Sequence, residues 1–440
     1  MQRIRVALFA CVIALLTALP SAAQSASAPA APVRLTLADA MARAATGNRA
    51  LAAARLKQAA DAAGVDVAAE RENPEFAYEA DRDFPHQAFS LTFPIETGGK
   101  RARRIDVAKA TVGVTVATIA QTALDITMNI RRAYFTLAAA QARAEIAGQI
   151  RDLAKRASDA ATTRVALGDV PRLEQLQAEL ELAAAENDAS RARADALSAR
   201  AGLNVLIGLP PATEVVALDD VLIPPPLAGI TASFGGQAPV VGVTLPPASP
   251  TAPPNFAAAL SLTPAPDSVD LAVIDREIAA AQARRNLAQA MTVPDFGAGG
   301  TLTSGVPDEF AVGWRLSGTV TVPLFTRHRA GILVEDAALA QLRGEREALV
   351  AELTGKIVDA AARATAAADA LRRFTDDILP RSREIEAMAQ DSYQSGQTGL
   401  VALLQTLQSA RNLRLQSVQA GLDMQLALAD LERALGASIK

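Results

Sequence analysis

The sequence predicts a mainly α-helical chain with a small β part, arranged as two tandem copies of one unit. The composition is 50% hydrophobic, 20% charged and only 4% aromatic, which favours long helices. Residues 100–166 contain no proline and residues 327–395 contain only Pro380, so a long helix is expected in each stretch, with a kink at Pro380. Landmarks of the first half recur 228 or 229 residues later: Pro94 and Pro323, Gly168 and Gly396, Leu203 and Leu431.

Each unit reads as helix, two strands, long helix, turn and return helix. We place the first unit at 35–209, with its opening helix at 35–71, and the second at 267–440. Strands are expected at about 75–82, 87–95, 295–303 and 311–324, and return helices at about 171–207 and 400–436. Residues 24–34 are a predicted N-terminal linker. Residues 210–266 are a predicted second linker, because they hold 13 of the chain's 24 prolines.

The N-terminus predicts export. Arg3 and Arg5 precede a 14-residue apolar run, and Ser21-Ala22-Ala23 follows it as a small-residue cleavage site, so residues 1–23 are expected to be a secretory signal peptide. The only cysteine, Cys11, lies within this segment, which excludes disulfides and thiolate sites in the mature chain. No later stretch has 18 consecutive apolar residues, so a membrane crossing would require a β-barrel.

The predicted strands alternate between apolar and polar side chains, which is the period of a two-faced sheet. On the last strand, the apolar face comprises Val312, Trp314, Leu316, Val320 and Val322, and the polar face comprises Arg315, Ser317, Thr319 and Thr321. A lipid-facing band or an ordinary sheet core would both produce this pattern. Four strands cannot close a membrane barrel, so three copies are the smallest number that leaves a lumen.

The long helices are expected to pack against the return helices as antiparallel coiled coils. The predicted seams are Leu173, Leu176 and Leu180 with Ala183 in one unit, and Leu400, Leu403, Leu404 and Leu407 in the other. At 1.5 Å per residue, a helix over 100–166 would be roughly 100 Å long, which is too long for a compact globule.

A basic cluster follows each strand pair. Gly98 and Gly99 are expected to bend the chain from strand into helix, and no phosphate-binding loop spacing is present. The residues assigned to the strand–helix junctions are Pro94, Gly98, Gly99, Lys100, Arg101, Pro323, Arg327 and Arg329. The basic side chains are expected either to contact lipid phosphates or to pair with acids such as Asp106 and Glu335.

The sequence offers no enzyme site. His86 and His328 are the only histidines, and neither has a partner at metal-ligand spacing or in a nucleophile–base pattern. A net charge of −4 gives no electrostatic case for binding nucleic acid. No catalytic residue, metal site or cofactor is therefore predicted.

These features together resemble the outer-membrane efflux proteins of the TolC family. The residues that carry the resemblance are the pattern Pro-x-x-x-Gly-Gly-Lys-Arg from Pro94, the run Tyr393-Gln394-Ser395-Gly396, the signal peptide and the duplicated unit. The run FPIETGGKRARR is similar to the heavy-metal, cobalt–zinc–cadmium type branch. The resemblance implies a homotrimer in the outer membrane of a Gram-negative bacterium, with a 12-strand β-barrel continued by a periplasmic α-helical barrel.

The resemblance also implies partners and a role. The chain would be the passive exit duct of a tripartite system, with a periplasmic adaptor (a membrane fusion protein) and an inner-membrane pump of the resistance–nodulation–division type, exporting heavy-metal cations. Drug efflux or type I protein secretion through the same fold stays open. A soluble periplasmic coiled-coil scaffold is the rival from another class.

Site residues follow from the same resemblance. The adaptor-docking turns would be Gly168, Asp169, Val170, Pro171, Gly396, Gln397, Thr398, Gly399 and Leu400, although Ala402 stands where the family turn often has an acid. Asp159 and Asp391 lie near these turns and would form a lumenal gate or be ordinary surface charges. Val312, Trp314, Leu316, Val320 and Val322 would face lipid.

Overall fold

The computed structural model describes residues 32–82, 86–168, 170–221, 268–304, 312–323, 325, 328–395 and 397–436. The predicted signal peptide, most of the predicted linker 210–266, and the site residues Asp169, Arg327 and Gly396 lie outside these ranges. Within them, the chain is mainly helical with one small sheet and one two-stranded ladder.

In the described part of the first half, the chain forms four helices and four strands. They are β1 (Val33–Leu35), α1 (Leu37–Gly47), α2 (Arg49–Ala69), β2 (Glu75–Ala80), β3 (Gln87–Ile95), α3 (Lys100–Ala166), α4 (Arg172–Leu206) and β4 (Val215–Ala217). The second half contains α5 (Val269–Ala290), β5 (Asp295–Ser304), β6 (Val312–Thr321), α6 (Arg329–Arg373), a π-helical turn (Phe374–Ile378), α7 (Leu379–Gln394) and α8 (Leu400–Leu435).

The opening helix predicted over 35–71 is wrong, because the chain breaks at Asn48. The backbone of Asn48 is extended, and its side-chain Oδ1 accepts hydrogen bonds from the amides of Ala50 and Leu51, which caps α2. Its Nδ2 donates to the carbonyl of Leu206 at the end of α4. Asn48 therefore marks the end of α1 and the start of α2. Its side chain also connects the start of α2 to the end of α4.

Both predicted linkers contain strand. β1 pairs in parallel with β4, so Val33 and Arg34 belong to a strand rather than to the linker 24–34, and 215–217 are extended within 210–266. Two side chains of α3 hold this ladder. Tyr134, which is fully buried, donates from its hydroxyl to the carbonyl of Leu35, and the amide of Gln141 donates to Val215 and accepts from Ala217. Burial raises the pKa of Tyr134 to about 12.

The larger sheet has the strand order β2-β3-β5-β6, and every neighbouring pair is antiparallel. β2 and β6 are its edges. β6 ends at Thr321, so the predicted strand 311–324 is too long at its C-terminal end, and Val322 and Pro323 lie beyond it. The second long helix begins at Arg329 rather than at 327.

The helices continue the order of the strands. α2 packs on α3, α3 on α5, and α5 on α6; further from the sheet, α4 packs on α3, α3 on α8, and α8 on α6 and α7. The chain thus forms four adjacent columns. We name them by their members: the first column is β2, α2 and α4; the second is β3 and α3; the third is β5, α5 and α8; the fourth is β6, α6 and α7.

The predicted leucine seam between α3 and α4 is wrong. Leu173, Leu176 and Leu180 are 65%, 51% and 73% exposed in the single chain, whereas the buried residues of this stretch of α4 are Ala178, Ala185 and Ala189. Two residues turn a helix by about 200°, so Leu176 and Leu180 project from the side opposite to Ala178. Alanine at the contact lets the two helices approach closely, and the leucines are left outside.

The second long helix is interrupted by the π-helical turn at Phe374–Ile378, two residues before Pro380. Proline cannot donate the hydrogen bond to the preceding turn, and such a wide turn accommodates the missing bond. The irregularity predicted at Pro380 therefore lies just upstream of it, between α6 and α7.

Candidate channel surfaces

The four-stranded sheet has one polar face. Its register brings hydroxyl side chains and glycines together: Thr92 lies opposite Gly299, which lies opposite Ser317. A Cβ on Gly297 would be only 2.3 Å from Thr319 Oγ1, so the hydroxyl occupies the space above the glycine. Alternation adds Glu75 and Glu79 of β2 to this face. The face is hydrophilic and is not covered by any described element.

The other face of the sheet is apolar and exposed. Trp314 and Leu316 are 75% and 78% exposed. They share the face with further apolar side chains, all at least 39% exposed: Phe76, Tyr78, Phe89, Leu91, Phe93, Ile95, Phe296, Leu302, Val312 and Val320. Tyr78 and Phe89 are in ring contact, with centroids 4.9 Å apart. This sheet is not the core of a globule, because its apolar face packs on nothing within the described chain.

The first strand–helix junction uses its basic residues internally. Lys100 is 5% exposed and its ammonium is paired with Asp295, which also accepts a hydrogen bond from the amide of Thr97 at 3.1 Å. The Nε of Arg101 donates to the carbonyl of Ala69 at 2.6 Å. Lys100 thus follows the pairing alternative, with Asp295 as its partner rather than Asp106 or Glu335. Lys100 connects the start of α3 to β5 of the sheet, and Arg101 connects the start of α3 to the end of α2.

Two further basic residues of the first junction also form ion pairs within the chain. Arg104 forms an ion pair with Glu96, and Arg103 pairs with Asp106 at 3.2 Å, which is one of the two pairings that the sequence suggested. The other suggested partner, Glu335, pairs with Arg284 of α5 instead. Arg329 is exposed at the start of α6.

At both junctions, residues with left-handed backbone conformation lie between the last strand and the following long helix. Gly98 and Gly99 have φ values of 65° and 71°, and Gly99 is the N-cap of α3. A Cβ on Gly98 would be 2.8 Å from the Cβ of Val293, so only glycine fits there. In the second half the N-cap of α6 is His328, with φ 49°. The same backbone turn thus recurs 229 residues later with a side chain in place of glycine.

The turns far from the sheet are short. Gly168 has φ 81° and donates its amide to Val165, and Pro171 is the N-cap of α4. Arg164 and Glu174 face each other across this turn at 3.6 Å. In the second turn, the amides of Gln397 and Thr398 donate to the carbonyl of Ser392, and Gly399 is the N-cap of α8. Both turns lie at the end of the molecule opposite to the sheet.

The two candidate gate carboxylates lie near these turns. Asp159 is seven residues from the end of α3 and Asp391 is three residues from the end of α7, and both are exposed. Among the described residues, neither carboxylate forms an ion pair, and their backbone carbonyls accept hydrogen bonds from Thr163 and Ser395. They are not brought together within one chain.

A charged cluster lies midway along the molecule, where α8 ends and α5 begins. Arg433 binds Asp270 with both terminal nitrogens, at 2.7 and 2.9 Å, and binds Asp125 through Nε at 2.5 Å. Burial alone would raise the pKa of Asp270, but hydrogen bonds from Arg433 and Gln121 and the charge of Arg433 hold that pKa below its ordinary value. Gln121, Asp270 and Arg433 line a cavity of about 600 Å³ between α3, α5, α6 and α8.

Sequence reasoning missed Asp295, Asn48 and Tyr134. Asp295 had a signal, since Val293-Pro294-Asp295-Phe296 repeats the pattern of Asn73-Pro74-Glu75-Phe76. The pairing of Asp295 with Lys100 had no signal, because the two residues lie 195 positions apart in the sequence. In the described part of the chain there is no cluster of three metal-ligating side chains, and α3 contains one 18-residue stretch apolar enough to cross a membrane by length and composition alone.

Curated relatives of this chain are metal-resistance proteins. It is 33% identical over 177 residues to the cobalt-zinc-cadmium resistance protein CzcC of Cupriavidus metallidurans, which covers 40% of this chain and 42% of CzcC. It is 29% identical over 315 residues to the nickel-cobalt-cadmium resistance protein NccC of Alcaligenes xylosoxydans xylosoxydans, covering 67% and 63%. The matches thus span less than two thirds of the length of either relative.

Solved outer-membrane channels share the fold. The open state of the MtrE channel of Neisseria gonorrhoeae superposes with a TM-score of 0.68 at 17% identity, covering 92% of this chain and 89% of MtrE. CusC superposes with a TM-score of 0.66 at 16% identity, covering 91% and 92%. The outer membrane efflux protein family matches residues 40–209 and 267–437, most of the described chain. The chain therefore belongs to the outer membrane efflux protein family, an outer-membrane protein with a periplasmic part and with the fold of a channel rather than of an enzyme.

Proposed function

We propose that this chain is the passive exit duct of a tripartite efflux system that expels heavy-metal cations. One observation carries the proposal: the sheet is polar on one face and exposes a continuous apolar face on the other. Lipid on the apolar face and water on the polar face would satisfy both sides of such a sheet. A soluble periplasmic scaffold would gain nothing from exposing Trp314 and Leu316, so that alternative is disfavoured.

Closure of the sheet requires more than one copy. Four strands with open edges cannot seal themselves, and three copies would supply 12 strands and a lumen. Because four is an even number, β6 of one copy would run antiparallel to β2 of the next, which continues the alternation. Below the sheet, the columns of long helices would continue the duct into the periplasm, and the family match to two separate segments supports the two-unit organisation.

The partners follow from the family and from the shape. A periplasmic adaptor would dock at the turns 168–171 and 396–400, at the end of the long helices remote from the sheet, and the adaptor would join the duct to an inner-membrane pump. Asp159 and Asp391 would then lie near the periplasmic mouth, where carboxylates from three copies could form a ring. No described residue set suggests that the duct itself makes or breaks bonds.

The choice of metal cations rests on the relatives, both of which are named for cobalt and cadmium resistance. Drug efflux or type I protein secretion would use the same duct. Deletion of the gene, followed by growth on panels of divalent metals and of drugs, distinguishes them. We expect sensitivity to divalent metals that returns to normal when the chain is resupplied.

Cell fractionation tests the duct itself. We expect the protein in outer-membrane fractions as a detergent-stable trimer. Recovery as a soluble monomer would exclude the duct, and unchanged metal tolerance with lost drug tolerance would exclude the metal assignment while leaving the duct in place.

A further inference from the structure

We propose that the lumen within the sheet, rather than the helical wall midway along the duct, is the part that favours cations, and that Glu75 and Glu79 of β2 are the residues that set this preference. The inference rests on the proposed function, because it needs the polar face of the sheet to line a water-filled lumen. It adds the class of solute that this lumen favours, which is small hydrated cations over anions of similar size.

The two glutamates lie in rows of the sheet that hold no counter-charge. The register gives their neighbours across the sheet, which are Thr92, Gly299 and Ser317 in the row of Glu75, and Ala88, Thr303 and Gly313 in the row of Glu79. All six are small and uncharged, so no side chain in either row neutralises a carboxylate. Both glutamates are exposed, and among the described residues neither carboxylate forms an ion pair.

The other charges on the polar face leave an excess of negative charge. Asp295 lies on this face by alternation, but its carboxylate is paired with Lys100. Arg315 lies in the row of Ala77, three strands away from β2. Three strand spacings of about 4.8 Å make roughly 14 Å, which is too far for an ion pair with a glutamate of the same chain. Even if Arg315 pairs with a glutamate of an adjoining copy, one carboxylate in each copy is left unmatched.

The cavity between the helices lies on the surface that would face the lumen. Tyr134 and Gln141, seven residues apart on one side of α3, hold the ladder of β1 and β4. Arg132, which lines the cavity, is two residues from Tyr134 and therefore about 200° around the helix from it. Three ladders pointing inwards would obstruct a duct made of three copies, so the ladder lies outside and the cavity faces inwards.

Charge at this height is balanced, in contrast to the sheet. Four carboxylates and four basic side chains line the cavity. Three ion pairs involve its lining residues: Asp270 with Arg433, Asp430 with Arg132, and Asp359 with Arg363. Glu277, the fourth carboxylate, shares the cavity with the ammonium of Lys356. A passing ion therefore meets no net charge on this part of the wall.

The position of the two glutamates makes their charge effective. Three copies would place Glu75 three times at one height, and Glu79 three times at another, about 14 Å further along the strand at 3.4 Å per residue. Lipid behind the sheet has a low dielectric constant, so the field of the exposed carboxylates is directed into the lumen. Rings of carboxylates of this kind favour cations in channels.

Thiol reactivity beside Glu75 tests the local potential without requiring the far end of the duct to be open. Thr92→Cys, in a Cys11→Ser background, places a single thiol directly opposite Glu75. Its rates of reaction with a cationic and an anionic methanethiosulfonate reagent are measured in outer membranes, each relative to the rate with a free thiol in solution. We expect a preference of at least about threefold for the cationic reagent, because a potential of about 0.5 kT per unit charge acts on the two reagents in opposite directions.

Charge variants identify the source of this preference. Glu75→Gln together with Glu79→Gln should remove the preference at Thr92→Cys, and Arg315→Gln should increase it. Raising the salt concentration from about 10 mM to about 100 mM shortens the Debye length from about 30 Å to about 10 Å and should reduce the preference.

Thr136→Cys is the matched control on the helical wall. Thr136 is exposed on α3 and, like Arg132, lies two residues from Tyr134 and so faces away from the ladder. We expect its ratio of the two rates to be close to that of the free thiol. A preference at Thr136→Cys as large as at Thr92→Cys would contradict the assignment of the preference to the sheet.

Leu91→Cys separates this inference from the proposed function. Leu91 precedes Thr92 on the apolar face, so lipid should protect it from both reagents. A reactive Leu91→Cys beside an unreactive Thr92→Cys would contradict the duct itself. Equal rates for the two reagents at a reactive Thr92→Cys, or a preference that survives the loss of both glutamates, would overturn the cation preference and leave the duct in place.

Discussion

Lys100, the first residue of α3, forms an ion pair with Asp295, the first residue of β5. The ammonium is almost entirely buried, and the carboxylate is fixed by the amide of Thr97. The pair therefore joins the two halves of the chain at the level where the sheet ends and the helices begin.

The two partners of this pair should respond differently to mutation. Asp295→Asn leaves a buried ammonium without its counter-charge. Because the Asp295 carboxylate is itself 41% exposed, the cost should lie below the about 3–5 kcal/mol of a fully buried pair. Lys100→Met removes the buried charge and keeps most of the volume, so its cost should be smaller. We expect the proposed trimer of Asp295→Asn to dissociate at a clearly lower temperature on heated gels than that of Lys100→Met.

Arg103→Ala is the matched control, because the Arg103–Asp106 pair is half exposed on one helix and such pairs contribute little. It should change the dissociation temperature only slightly. Equal losses in Asp295→Asn and Lys100→Met would show that burial of the ammonium is not the cause.

The strands and long helices were predictable from the sequence because their signals are local. The alternation of apolar and polar side chains defines the two faces of β6 at Leu316 and Ser317. The stretch that forms α3 contains no proline and is bounded by Gly99 and Gly168. Partners far apart in sequence were not predictable. Lys100 reads as one residue of a solvated basic run, and only the fold brings Asp295 to it.

The leucine seam failed for another reason. Spacing shows that Leu173, Leu176 and Leu180 share one face of α4, but it does not show what covers that face. Because α4 is rich in alanine, its opposite face is also apolar enough to pack. Ala178 and Ala185 allow a closer approach to the neighbouring helix, so this face is the one buried within the chain.

Gly98 and Gly99 should differ in their tolerance of alanine. Both have positive φ, which costs a non-glycine residue about 1–2 kcal/mol. At Gly99 a Cβ meets nothing within 4 Å, whereas at Gly98 it would lie 2.8 Å from Val293 Cβ and 2.9 Å from Val293 Cγ2. We expect Gly98→Ala to lower the yield of the proposed trimer strongly and Gly99→Ala to lower it mildly. Val293→Ala removes one of the two clashing atoms and should restore Gly98→Ala only in part; equal yields for the two glycine variants would contradict this account.

Neighbouring positions on β6 should respond oppositely to arginine. Leu316→Arg places a charge on the proposed lipid face, where arginine costs about 2–4 kcal/mol near the bilayer midplane. Ser317→Arg places the same charge on the polar face beside Arg315 and should be tolerated better. The amount of protein recovered from outer membranes, with total expression as the reference, measures both. Better recovery of Leu316→Arg than of Ser317→Arg would reverse the assignment of the two faces.

The Asp270–Arg433 pair should make stability depend on pH in the acid range. Because the pKa of Asp270 is lower in the folded than in the unfolded chain, its carboxylate stabilises the fold above the unfolded value of about 3.9. This stabilisation is lost as the pH falls through the lower folded value. Removing the charge should therefore matter at neutral pH and matter progressively less in acid.

Asp270→Asn tests this dependence. Asp125 still pairs with Arg433 in the variant, so we expect a loss of about 1–3 kcal/mol in the free energy of unfolding at pH 7. Thermal unfolding in detergent, followed by circular dichroism at several pH values from 7 to 3, should show the two curves converging as the pH falls below about 4. Asp159→Asn, at an exposed carboxylate that forms no ion pair among the described residues, is the control for the substitution itself and should change the stability at pH 7 only slightly. A constant difference between Asp270→Asn and the unmodified chain across this range would mean that the loss comes from packing rather than from the ionised pair.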